Sequence, residues 1–209
     1  MNGIHLFIRV FKRFADVISG RRSYWRKTND VVVEEIWNRI KDLEIPNDTI
    51  FKHLVVAAIT VVEELMNMGR TTQTIIKIDC KKISIEKFRE LYTILLSYFS
   101  FLLCFVNNQV RQTPALKESI KRGIGEITNR PSEAEKIFSQ LSVYFSKSLN
   151  EVDMGHVAEK IWARITEITE SKGRMMDLTR DVYFRMPLER SCIEALKAIS
   201  TELNNRGAK

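Results

Sequence analysis

Leu91 to Val110 reads LYTILLSYFSFLLCFVNNQV, twenty residues without a charge, of which the sixteen from Leu91 to Val106 are almost continuously apolar. The rest of the chain is rich in charge, so any fold must either wrap this segment or hand it to a membrane. As a helix, sixteen residues span about 24 Å, short of the ~30 Å hydrocarbon core of a bilayer. Extending the segment through Asn107, Asn108 and Gln109 supplies the length but places three strongly polar side chains at one end. A helix that is apolar on every side is either a membrane span or the centre of a bundle. The flanking segments are amphipathic and each needs an apolar surface to cover. The expectation is therefore a central bundle helix, with a membrane-embedded segment as the competing reading.

The neighbours are read outward from that centre. Ser84 caps the central helix, expected from about Ile85 to Arg111. Before it, Thr49 to Met68 reads as a helix capped by Asp48 and closed by Gly69, and its middle, LVVAAITVV (Leu54 to Val62), is a second core segment. Its β-branched content suits a strand, but twenty residues between two stop signals favour a helix. Val31 to Leu43 reads as another, capped by Asp30, with Val32, Ile36, Ile40 and Leu43 on one face and Pro46 beyond its end. Between the two core helices, Thr74 to Ile83 alternates Ile76, Ile78 and Cys80 with Lys77, Asp79 and Lys81, the pattern of a short strand or extended connector.

After the central helix, Thr113-Pro114 signals a restart, with Leu116, Ile120, Ile124 and Ile127 as the buried face. Gly123-Ile124-Gly125 within it comes after no strand and lacks the remainder of any nucleotide fingerprint, so it points to a close approach at glycine. Ser132 to Glu135 reads as a capping box opening a helix with Ala134, Ile137, Phe138, Leu141, Phe145 and Leu149 on one side. Asp153 caps a further helix to about Ser171, ending at Gly173. Arg174 to Met186 and Pro187 to Asn204 read as the last two. The expected fold class is all-α, a bundle of eight or nine helices around a central apolar one, with one strand-like connector.

A partial internal repeat links Val32 to Leu43 (VVEEIWNRIKDL) with Val157 to Ile168 (VAEKIWARITEI), identical at six of twelve positions including Trp37/Trp162 and Arg39/Arg164. The residues after Pro46 do not resemble those after Ser171, so the match is taken as two tryptophans anchoring equivalent packings rather than a duplication.

Charge is distributed unevenly. The chain of 209 residues carries a net +7. Residues 1 to 29 hold seven cations against Asp16 alone, and the remaining 180 residues hold 26 cations against 25 anions. Gly3 to Ile18 reads as an amphipathic helix with His5, Arg9, Lys12, Arg13 and Asp16 in one polar arc, stopped by Gly20. A loop, RRSYWRK (Arg21 to Lys27), then interleaves cations with two aromatic rings. Residues 1–29 are thus expected to form a basic arm packed on a single domain, 30–209. Arg9, Lys12, Arg13, Arg21, Arg22, Tyr24, Trp25, Arg26 and Lys27 are the candidate contacts for an anionic partner. That partner is a nucleic acid, whose bases stack on rings, an acidic protein surface, or an anionic membrane entered by the apolar face of Gly3 to Ile18. Self-association is left open.

Chemical motifs are few. His5, His53 and His156 are scattered, and no His-x-x-x-His or Cys-x-x-Cys spacing suggests a metal site. No nucleophile elbow, P-loop or dinucleotide fingerprint occurs, so neither a cofactor nor an enzymatic activity is expected. Asp177, Asp181, Arg185 and Glu189 have the spacing of a solvated ion-paired face. Tyr92, Tyr98, Phe99, Phe101 and Phe105 read as core, with an apolar-ligand pocket beside Tyr98 and Phe101 as the alternative. Three widely spaced cysteines, Cys80, Cys104 and Cys192, fit a reducing compartment. With no evident secretory signal, the expectation is a cytoplasmic protein, peripheral to a membrane if the arm binds lipid. The sequon Asn47-Asp48-Thr49 is then expected to go unused, and an organelle presequence is disfavoured by the serine-poor N-terminus.

Overall fold

The computed structural model describes residues 24–42, 48–71, 83–106, 112–147, 163, 167 and 186–207. Six helices account for nearly all of these described residues: α1 (Tyr24–Asp42), α2 (Asp48–Thr71), α3 (Ile85–Val106), α4 (Pro114–Thr128), α5 (Pro131–Lys147) and α6 (Met186–Gly207). No strand occurs among the described residues, and the class is all-α. Of the expected eight or nine helices, six are found among the described residues. The helices expected at Gly3 to Ile18, Met154 to Ser171 and Arg174 to Met186, like most of the strand-like connector, lie outside the described residues, apart from isolated helical positions at 163 and 167 and the Met186 that opens α6.

At the centre stands α3. Every residue from Leu91 to Cys104 is buried, and the helix touches all five of the other helices. Its four charged residues, Glu86, Lys87, Arg89 and Glu90, crowd its first turn and a half, which leaves too short an apolar run to span a bilayer. No described helix is long and apolar enough to cross a membrane. The run is apolar on all sides because protein meets it on all sides.

Each surrounding helix supplies one face. α2 buries Phe51, Leu54, Val55, Ala58, Val62 and Leu65. It continues past Gly69, where closure is expected, to Thr71; one helical glycine costs only about 1 kcal/mol. From α4 come Ile120, Ile124 and Ile127, with Leu116 partly buried, and from α5 come Ala134, Phe138 and Leu141. Phe138 meets Phe101 of α3 edge to face, ring centroids 6.2 Å apart, a favoured aromatic geometry. α6, with Pro187 in its first turn, lies chiefly along α2 and buries Ile199.

Two helix starts differ from expectation. α1 is already helical at Tyr24, seven residues before Val31, so Tyr24 to Lys27 are not loop and Asp30 is not a cap. Trp25, Asn29, Val32, Ile36 and Ile40 share one buried face at helical spacing, and burial of a tryptophan outweighs a local cap signal. The helix runs unbroken across the boundary expected between residues 29 and 30. α5 opens at Pro131, one residue ahead of the proposed capping box. The junction before it is a Schellman turn: Asn129 takes the left-handed conformation (φ 58°), its N–H reaches the Glu126 carbonyl, and the Arg130 N–H reaches that of Gly125. The Arg130 carbonyl then accepts the Ala134 N–H as the first bond of α5. At the start of α4, Thr113 occupies the cap position ahead of Pro114 but makes no side-chain capping bond; its carbonyl accepts the N–H groups of Leu116 and Lys117.

The two glycines of α4 mark close approaches, as their position inside a helix implies. A Cβ at Gly123 would collide with Cζ of Phe51 on α2, and one at Gly125 would lie 2.7 Å from Cα of Pro131. Gly123 thus seats α4 on α2, while Gly125 lets the chain fold back tightly into α5.

Candidate functional site

Of the nine residues expected to meet an anionic partner, Arg9, Lys12, Arg13, Arg21 and Arg22 lie outside the described residues, and Tyr24 is described in its backbone alone. The other three sit in the first turns of α1, where helical geometry sends them in different directions. Trp25 is 2% exposed and belongs to the core. That corrects its assignment as a partner contact, because a ring enclosed by its own bundle cannot stack on a base or enter a lipid interface. The guanidinium carbon of Arg26 lies 5.3 Å from the Trp25 ring centroid, a cation–π contact that holds the side chain against its own protein. Lys27 is exposed. The structure therefore separates residues that the sequence groups by proximity: one cation is free to meet solvent, one is turned onto a ring, and the ring is buried.

A second polar region, on the face where α1, α3 and the α4–α5 junction meet, is one that sequence reasoning misses. Glu35 of α1 receives both arms of an Arg89 fork from α3, Nε to Oε2 at 3.0 Å and Nη2 to Oε1 at 2.8 Å. The remaining Nη1 of Arg89 pairs with Glu86, one turn back. Glu86 in turn accepts Arg130 Nη2 at 2.9 Å, and Arg130 Nη1 reaches Glu133 at 2.7 Å. Charges of alternating sign thus run Glu35, Arg89, Glu86, Arg130, Glu133, linking three elements. The hydrogen bonds from Arg89 hold the Glu35 carboxyl below its ordinary value of 4.5, against the opposing effect of partial burial.

Next to this chain of charges lies a shallow notch lined by Val32, Glu35, Ile36, Arg39, Arg89, Ile127 and Thr128, with a free volume of about 10 Å³, room for about one water. Its floor is apolar: Val32, Ile36 and Ile127 are all buried. Thr128 keeps its hydroxyl within its own helix, Oγ1 donating to the Ile124 carbonyl at 2.7 Å. Arg39 stands at the rim, with Nη1 3.3 Å from the Glu126 carbonyl at the end of α4. A notch this small lies far below the ~300 Å³ at which small-molecule and cofactor sites begin. The pairs Glu86/Arg89 and Arg130/Glu133 carry a visible i,i+3 signal, but Glu35 and Arg89 are 54 residues apart and no spacing rule joins them.

Other candidates resolve into packing. His53 Nδ1 donates to the Thr49 carbonyl at 2.8 Å, as a boundary histidine does. Tyr92, Tyr98, Phe99 and Phe101 are all buried on α3, and the Tyr92 hydroxyl donates to Asn29 Oδ1 of α1 at 2.7 Å. Cys104 is free and buried, and burial pushes its thiol up to about 11, which leaves it a poor nucleophile. Among the described residues no group of three His, Cys, Asp or Glu side chains has the arrangement to hold a metal ion. Arg190 and Glu194 form a solvated i,i+4 pair on α6. The chain matches no known protein family, no curated protein and no solved structure.

Proposed function

We propose that this protein is a non-enzymatic helical interaction module, cytoplasmic, whose basic N-terminal region contacts an anionic partner, a nucleic acid or an acidic protein surface. The observation that carries the reading is the placement of charge: residues 1 to 29 hold a net +6 of the total +7. With Trp25 committed to the core and Arg26 to its ring, the contacting set narrows to Arg9, Lys12, Arg13, Arg21, Arg22, Tyr24 and Lys27. Binding is then chiefly electrostatic, with affinity falling steeply as salt rises. A peripheral membrane role is the second reading, favoured by the wide apolar face of Gly3 to Ile18.

Burial of Trp25 rules out a simple truncation as the test, because removing residues 1–27 would strip the core of a tryptophan. The full chain is compared with its Arg9, Lys12, Arg13, Arg21, Arg22→Gln variant. Each is assayed by filter binding to single-stranded nucleic acid and by co-sedimentation with anionic vesicles, at low and high salt. The proposal expects salt-sensitive nucleic-acid binding that the variant loses. Vesicle binding that survives high salt and is abolished by Phe7, Phe11, Phe14→Ser supports the membrane reading instead. Nucleic-acid binding that the charge-neutralised variant retains overturns the first reading, and vesicle binding that is absent or unaffected by Phe7, Phe11, Phe14→Ser overturns the second.

A further inference from the structure

No further inference is drawn: the strongest candidate, the buried stripe of Thr93, Ser97 and Ser100 along α3, whose two serine hydroxyls have no hydrogen-bond partner among the described residues, carries nothing, because nothing in the structure shows a space beside it that a ligand could enter.

Discussion

Single atoms decide much of this structure, and the two glycines of α4 show how. Alanine in place of a helical glycine ordinarily gains about 1 kcal/mol through backbone entropy. At Gly123 the added methyl meets the buried Phe51 ring, and at Gly125 it meets the backbone of Pro131. A ring can shift at some cost in packing; a backbone turn moves only if the helix junction opens. Gly123→Ala should thus destabilise the protein by about 1 kcal/mol net and Gly125→Ala by about 2 kcal/mol or more, overpacking outweighing propensity. Urea unfolding of both variants measures this, and a stabilised Gly125→Ala protein would contradict the tight α4–α5 turn. Glu35 gives a prediction with a sign. Its folded value is depressed by Arg89, so between that value and about 4.5 the unfolded chain binds more protons than the folded one, and stability rises with pH. The contribution is present above about pH 4.5 and is lost as pH falls through the folded value. With its side chain 34% exposed, solvent screens the pair and the effect is small. Unfolding midpoints measured from pH 6 to pH 3 should fall less steeply for Glu35→Gln than for the unaltered chain.

Among the helices, α3 carries a conflict that sequence alone does not expose. Ser97 and Ser100 are fully buried in its apolar run, and neither hydroxyl has a hydrogen-bond partner among the described residues, whereas Thr93 on the same stripe donates to the Arg89 carbonyl at 2.8 Å. A buried hydroxyl without a partner costs about 1–3 kcal/mol. Ser97→Ala and Ser100→Ala should each raise stability by about 1 kcal/mol, with the gain in helix propensity adding to the removed desolvation cost. Calorimetry decides the matter, and a lowered melting temperature would mean that these hydroxyls find partners in solution. α1 shows the opposite relation between local signal and outcome. Asp30 is a sound cap by type, and the helix ignores it because Trp25 and Asn29 extend the buried face by two turns. The spacing of Trp25, Asn29 and Val32 is legible in the sequence. Its meaning is obscured by the arginines and lysine around Trp25, which make the same residues look like a solvated loop.

Across the assembled bundle, the charge pattern and the core make separate demands on neighbouring residues. If Trp25 serves packing alone, Trp25→Phe should preserve anionic-partner binding to within a factor of two while lowering stability by about 1–2 kcal/mol, the larger loss on truncation to alanine being about 3–5 kcal/mol. Filter binding paired with thermal unfolding separates the two effects, and a tenfold loss of binding in a folded Trp25→Phe protein would return the ring to the partner surface. The repeat, in contrast, is described in one copy. Val32, Ile36 and Ile40 of that copy are core, Trp37 packs partly against it, and Arg39 stands at a notch; the second copy, Val157 to Ile168, lies outside the described residues save for positions 163 and 167.

Hydrophobic periodicity by itself determined the all-α class, the central helix, and the buried faces of α2, α4 and α5, because a side chain's preference for burial is local and recurs every helical turn. It also located the excess charge, which is a matter of counting. Only the tertiary structure decided that Leu91 to Cys104 is enclosed by protein rather than lipid, since an apolar run does not specify its solvent. The same holds for the start of α1, for Trp25 as core, and for the pairing of Glu35 with Arg89, all of which depend on what lies opposite. Groups brought together from distant parts of the chain leave no mark in the spacing of their neighbours, as Glu35 and Arg89, 54 residues apart, show.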